Sequence, residues 1–291
     1  MSENNKLIVI TGPTAVGKTE IAIRLAKSLN TEIISCDSRQ MYREMSIGTA
    51  VPTSEELRSV RHHFIGNLSI HDYYNVSIFE QECLQLLQQL FAKHQNVIMT
   101  GGSGLYIDAV CKGIDYFPAV DIEIRKTVIG WFESGGIEYL RRQLKILDPM
   151  HYSKVDLRNH KRIMKAIEVS LQTGKPYSSF LTAQQRKRPF DIEKIAISRP
   201  RKELFDRINK RTAIMIEQGL LEEAKSLYPF RHLNALNTVG YKELFAFMDD
   251  LHNLETAIEL IRRNTRHYAK RQLTWLTRDK DINWRSAEEL K

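Results

Sequence analysis

Lys6-Leu-Ile-Val-Ile-Thr11 is an apolar run that stops at a glycine, the pattern of a parallel strand buried on both faces. Behind it, over 19–29, Ile21, Ala22, Leu25, Ala26 and Leu29 recur at helical spacing. Glu32-Ile-Ile-Ser35 and Asn96-Val-Ile-Met-Thr100 repeat the short apolar run, the second again ending in glycines. Between them, residues 76–93 carry Ile78, Phe79, Leu86, Leu87 and Leu90 as one helical face. Strand, helix, strand, helix, strand predicts a parallel α/β sheet.

The period changes after Gly113. Over 122–182 it is helical, with breaks at Gly135-Gly136, Asp148-Pro149 and Gly174-Lys175-Pro176. Strand character returns over 192–198, and helical character over 202–227 and 254–275, the last rich in Arg and Lys. The expected fold is α/β, with a parallel-sheet core drawn from 1–120 and 190–291, C-terminal helices included. An all-helical domain is inserted over 121–189.

Charge sharpens this division. The chain carries 43 basic and 35 acidic residues, a net +8, yet 1–120 is slightly acidic with 10 basic against 12. Residues 121–189 hold 14 basic and 7 acidic, so most of the excess lies in the insertion. A concentrated basic segment points to a phosphate-rich partner more than a scattered excess would. With 42% hydrophobic residues the chain can build a core, and its longest early aliphatic run, Leu7 to Ile10, is too short for a bilayer or a signal peptide. Three cysteines without a C-x-x-C pair argue against a disulfide framework and a thiolate zinc site, and fit a cytoplasmic protein with no membrane partner.

The strongest chemical signal is Gly12-Pro13-Thr14-Ala15-Val16-Gly17-Lys18-Thr19, which matches G-x-x-x-x-G-K-[ST] between a predicted strand and helix. Its glycines let backbone N–H groups turn inward as an anion nest at a helix N-terminus. Lys18 supplies a mobile cation, and the Thr19 hydroxyl is placed to ligate Mg²⁺ between phosphate oxygens. Such a P-loop binds a diphosphate or polyphosphate, a nucleotide such as ATP included; the motif does not name the molecule.

Further motifs narrow the choice: Ile34-Ser-Cys-Asp37-Ser38-Arg-Gln-Met-Tyr42, Ile47-Gly-Thr-Ala50, Gly101-Gly-Ser-Gly-Leu-Tyr106, Asp121-Ile-Glu-Ile-Arg125, Lys161-Arg-Ile-Met-Lys-Ala-Ile-Glu-Val169, Arg207-Ile-Asn-Lys-Arg211, Thr238-Val-Gly-Tyr241 and Ala269-Lys-Arg-Gln-Leu-Thr-Trp275. In this order and spacing, with the P-loop, the chain resembles the tRNA dimethylallyltransferase (isopentenyltransferase) family over nearly its whole length. The resemblance implies a P-loop NTPase-like core with an inserted all-helical RNA-binding domain that grips the tRNA anticodon stem-loop. It implies transfer of a dimethylallyl group from dimethylallyl diphosphate to the exocyclic amine of the adenosine 3′ of the anticodon, with Mg²⁺ as cofactor. A monomer is expected.

On the same resemblance, Asp37, Lys18, Thr19 and Arg211 are the candidate catalytic residues. Asp37 would accept from the attacking amine, and the other three would hold the diphosphate. Asp37, Ser38, Arg39, Gln40, Ser103, Arg125, Lys161, Arg162, Ile163, Met164, Lys165, Tyr241 and Lys242 are candidate tRNA contacts. The chain departs from the family pattern at Ser103, where threonine is usual, at Val51 in place of a lysine, and at Gly66 in place of an acid after His62-His63.

Blander readings stand beside these. Asp37 could cap a helix. Arg207 and Arg211 share a helical face and could pair with Glu203 and Asp206 as a solvated row. Tyr241 could stack on a base or pack inside. His62-His63 lacks a third ligand and reads as structural, and Cys36 as a core thiol. The alternative function is a P-loop kinase of a small metabolite or nucleoside, against which the basic insertion counts. A nucleotide-switched RNA-binding protein is a third.

Overall fold

The computed structural model describes residues 5–118, 120–182 and 186–290. The chain divides into two compact units, residues 1–112 with 187–291, and residues 113–186.

The first unit holds a six-stranded, all-parallel sheet. In chain order its elements are β1 (Lys6–Thr11), α1 (Lys18–Ser28), β2 (Ile33–Ser35), α2 (Ser54–Ser59), β3 (His62–His63), α3 (Val76–Phe91), β4 (Asn96–Gly101) and α4 (Gly104–Lys112). The second unit holds α5 (Ile122–Leu147), α6 (Pro149–Tyr152) and α7 (His160–Thr173). The chain then returns to the first unit as β5 (Asp191–Ser198), α8 (Arg201–Glu217), α9 (Leu220–Leu227), α10 (Tyr241–Met248), α11 (Leu254–Leu276) and β6 (Ile282–Ser286). Strand order is β3-β2-β4-β1-β5-β6, with β1 paired in parallel to β4 and β5. The short strands β3 and β6 at the two edges lack the apolar runs that announce the inner four.

Alternation along the inner strands decides the layers. Leu7 and Val9 face one way with Ile34, Val97 and Met99, packing on Phe79, Leu87 and Leu90 of α3. Ile8 and Ile10 face the other way with Ile33, Ile98 and Ile197, packing on α1 and on Leu204 and Ile208 of α8. Both faces are covered, so both parities are apolar and the strands read as continuous runs. A third cluster joins Tyr42, Met45 and Ile70 to α9, α10 and α11.

The helical stretch over 202–227 is broken at Gly219, which takes a left-handed φ of 97° and separates α8 from α9. In the second unit α5 is kinked where Gly136 leaves helical geometry, Asp148 caps α6 with Pro149 in its first turn, and left-handed Gly174 ends α7. These are the expected interruptions. Val128, Leu140, Leu144, Ile163, Ala166 and Ile167 form this unit's own core.

The unit spans 113–186 where 121–189 was expected, and the difference at its C-terminal end has a cause. Arg188 is buried in the first unit, paired to Glu80 at 2.6 Å and donating to the Val110 and Ala109 carbonyls at 2.8 and 2.6 Å. The second unit accordingly carries 12 basic and 8 acidic residues, a net +4 and not the +7 of the longer range. No helix among the described residues is long and apolar enough to cross a membrane.

Candidate active site

Parallel strands deliver their C-terminal ends to one edge of the sheet, where doubly wound folds bind ligands. Here that edge receives the P-loop after β1, Asp37 after β2, the glycine loop after β4 and Arg199 after β5. Gly12 is required at the turn: its φ is 143°, and an added Cβ would lie 2.8 Å from the Ile197 carbonyl oxygen. Lys18 folds back so that its Nζ donates to the Gly12 and Pro13 carbonyls, 3.0 Å each. Burial pushes its ammonium down to about 8, neighbouring Arg211 adds to the shift, and Asp37 opposes it.

Three arginines hold the outside of the loop. Arg199 Nε donates to the Val16 carbonyl and Arg207 Nε to the Ala15 carbonyl, both at 2.7 Å, while Arg211 Nη2 donates to Thr14 Oγ1. Burial holds the Arg211 guanidinium below its ordinary value, partly countered by Asp37. The solvated-row reading fails for Arg211, which is part-buried against Thr14, while Arg207 stays exposed with only its Nε tied to the loop; Glu203 pairs with Arg199 instead of either. From α11, Gln272 accepts the Thr14 amide hydrogen at 2.8 Å and donates Nε2 to the Gly102 carbonyl at 2.9 Å. Arg199 was not marked in the sequence, and Gln272, although inside the 269–275 motif, was given no role there.

Asp37 Oδ1 accepts from the Arg39 amide at 2.9 Å and the Gln40 amide at 3.4 Å, so the turn fixes the carboxylate. It lines a cavity of about 450 Å³ together with Thr14, Lys18, Thr19, Thr49 and Arg211. All four candidate catalytic residues thus face one space. A side cavity of about 90 Å³ shares Thr14, Asp37, Thr49 and Arg211 with it and is closed by Met215, Leu220, Val239, Ile261 and Tyr268. A further cavity of about 420 Å³ gathers Ser38, Arg39 and Lys242 with Arg271 and Tyr268. Ser103 Oγ accepts from the Ser38 amide at 3.0 Å, and Gln40 Nε2 donates to the Thr49 and Ala50 carbonyls at 3.2 and 2.9 Å. Those two side chains join loops.

The remaining candidates divide by exposure. Lys161 and Arg162 are exposed in the first turn of α7, and Lys165 is half-buried with its Nζ 5.7 Å from the Phe117 ring centre. Arg125 is half-exposed, 3.5 Å from the buried Glu168. Two expected tRNA contacts are corrected. Ile163 is fully buried because it packs the core of its unit, with Met164 against it. Tyr241 is also fully buried, its hydroxyl donating to Glu223 at 2.6 Å, so it packs and offers no ring to a base. Cys36 is a buried thiol, and His63 is tied to Glu32 at 2.6 Å.

Magnesium makes modest demands of such a site. It keeps several waters and needs one or two protein oxygens when phosphates supply the rest. The Thr19 hydroxyl in the cavity fits that, and no cluster of three His, Cys, Asp or Glu able to hold a metal occurs among the described residues.

A family model described as IPP transferase matches residues 40–279. The tRNA dimethylallyltransferase 1 of Bacteroides thetaiotaomicron is 50% identical over 283 residues, covering 97% of this chain and 92% of that protein. The tRNA dimethylallyltransferase 2 of Azobacteroides pseudotrichonymphae is 51% identical over 278 residues, 96% of this chain and 91% of its own. Among solved structures, the tRNA isopentenylpyrophosphate transferase of Bacillus halodurans superposes with a TM-score of 0.71 at 35% identity, over 97% of this chain and 90% of that one. A eukaryotic dimethylallyltransferase captured acting on tRNA gives a TM-score of 0.80 at 28% identity, over 97% of this chain and 74% of that chain.

Proposed function

The chain belongs to the IPP transferase family, and from that membership we propose that the cavity above its P-loop is where a dimethylallyl group passes from its diphosphate to tRNA. On this reading the protein is a prenyl transferase acting on tRNA, as its relatives are named, and the acceptor is the one the family resemblance implies, the exocyclic amine of the adenosine 3′ of the anticodon. The kinase alternative is set aside, since the relatives are named for prenyl transfer.

One observation carries the assignment of the site. The cavity of about 450 Å³ is lined at once by an anion grip, Lys18, Thr19 and Arg211, and by an acceptor, Asp37. In the reaction the allylic C–O bond breaks and its electron pair leaves on the diphosphate, while the adenine nitrogen forms the new N–C bond. P-loop amides, Lys18 and Arg211 stabilise the leaving charge. The Thr19 hydroxyl would hold Mg²⁺, which would supply positive charge to offset that of the leaving diphosphate. Asp37, fixed by its turn, accepts the amine proton. The side cavity's apolar wall suits the five-carbon chain.

The second unit is the proposed grip on the anticodon stem-loop. Its α7 has no acid in the first turn and carries Lys161 and Arg162 there, where the helix dipole disfavours cations. Charges kept against local stability suit an external phosphate. A monomer working in the cytoplasm accords with this reading.

The test is incubation with labelled dimethylallyl diphosphate and bulk tRNA, with labelled ATP in parallel. Label from the prenyl donor should enter tRNA, and Asp37→Ala should cut turnover by roughly 10²–10⁴-fold with tRNA binding kept. Phosphate transfer from ATP, or a variant with more than about a tenth of wild-type turnover, would remove the assignment.

A further inference from the structure

The lining of the cavity includes Thr49 and Ala50, and these sit on a segment with an unusual attachment. Residues 46–51 form one helical turn closed in the manner of a helix C-terminus. The Val51 amide donates to the Ser46 carbonyl at 3.1 Å, and the Ala50 amide to the Ile47 carbonyl at 3.0 Å. Ala50 occupies the left-handed position of this motif, φ 53°, which alanine enters only at a cost that its surroundings must sustain.

Two clamps do so. Downstream, Gln40 Nε2 holds the Thr49 and Ala50 carbonyls, and the Gln40 amide in turn donates to Asp37. Upstream stands Glu223, from α9. Its Oε2 accepts the Ser46 and Ile47 amides at 3.0 and 2.8 Å; its Oε1 accepts the Gly48 amide at 2.9 Å and the Tyr241 hydroxyl at 2.6 Å. Each carboxylate oxygen thus takes two donors, and charge-assisted bonds are the strong ones. The Tyr241 ring backs the same turn so closely that a Cβ on Gly48 would lie 2.6 Å from it, which is why residue 48 has no side chain. Glu223 and Tyr241 line neither the diphosphate cavity nor its side cavity.

We propose that Glu223 is a positioning residue: its carboxylate latches the turn 46–50 from behind and so sets Thr49 and Ala50 against the diphosphate site and Asp37. The inference deepens the prenyl-transfer reading and rests on it for its kinetic arm only. Glu223→Ala leaves three backbone amides without their acceptor and should lower kcat at least tenfold at temperatures well below the melting midpoint, with tRNA affinity unchanged. Glu223→Gln keeps one accepting oxygen and should lose about half as much on a logarithmic scale. Tyr241→Phe keeps the packing and all three amide bonds and should stay within threefold of wild type.

Hydrogen exchange supplies a second arm that does not depend on the reaction. The Ser46, Ile47 and Gly48 amides should exchange slowly in wild type and rapidly in Glu223→Ala. If Glu223→Ala fails to fold, Glu223→Gln is read on both arms. Unchanged exchange in a folded Glu223 variant, or faster exchange with kcat within twofold of wild type, overturns the proposal. Altered exchange with a wild type that transfers no prenyl group instead overturns the reading of the reaction and leaves Glu223 as the latch of whatever this site does.

Discussion

Gln272 and Thr14 are 258 positions apart, yet the Gln272 side-chain oxygen accepts the Thr14 amide hydrogen at 2.8 Å. Its amide nitrogen meanwhile holds Gly102, so one buried side chain on α11 sets the distance between the P-loop and the glycine loop. Gln272→Glu keeps the first bond and turns the second into a repulsion between two oxygens. Breaking a buried bond of this kind costs about 1–3 kcal/mol. The KM for the diphosphate donor should rise roughly tenfold, with tRNA affinity unchanged. Steady-state kinetics on Gln272→Glu and Gln272→Ala measure this, and unaltered donor kinetics in both would refute the bridge.

Lys18 gives the site a pH dependence. Burial lowers its ammonium to about 8, so in the free protein the charge is lost as pH rises through that value. Bound diphosphate favours the charged form, so binding should take up a proton near pH 8 and weaken above it, by at most about tenfold per pH unit for one proton. Calorimetry of inorganic diphosphate in two buffers of different ionisation heat reads the uptake. Lys18→Met should abolish it.

Asp279 supplies an acid limit to stability. Burial alone would raise its carboxyl, but hydrogen bonds from Lys194 at 2.7 Å and from Lys112 outweigh that and hold it at about 2. A folded-state value below the ordinary 3.8 stabilises the fold above 3.8, and the contribution is lost as pH falls from there towards 2. At neutral pH, Asp279→Asn leaves buried Lys194 without its counter-ion and should cost about 3 kcal/mol. Chemical denaturation of both proteins from pH 7 downwards should show the gap closing between pH 4 and 2.

The basic start of α7 can be tested for binding and stability together. Replacing Lys161, Arg162 and Lys165 by alanine should flatten the salt dependence of tRNA affinity by about 0.7–0.9 log-log units for each phosphate no longer neutralised. Exposed Lys161 and Arg162 should each neutralise one phosphate, and Lys165, which lies over Phe117, should add less. Because those cations oppose the helix dipole, the variant should melt no lower than wild type. Equal affinities with parallel salt lines would make the stretch a solvated face.

Much of this protein was legible in its sequence, because the decisive signals there are local. A strand buried on both faces must be apolar throughout, so Leu7–Ile10 and 96–100 announce themselves, and a P-loop needs its glycines and lysine within eight residues. The edge strands were not legible. His62–His63 and Ile282–Ser286 borrow their conformation from β2 and β5 and carry little apolar pattern of their own.

Burial of polar and aromatic groups was decided by tertiary structure alone. Tyr241 and Ile163 sit in motifs that suggested RNA contacts, yet each fills a core, because which face of a helix meets a neighbour depends on where the neighbour lies. Arg188 counts towards the basic segment 121–189 but is a buried staple for Glu80. Gln272 and Glu223 act on loops 170 or more positions away, through side-chain hydrogen bonds that no spacing rule encodes. Residue type and short-range period determined the sheet, the phosphate grip and the basic insertion. Long-range packing decided which side chains hold the loops in place, since a hydrogen bond between distant segments exists only once the chain has brought its partners together.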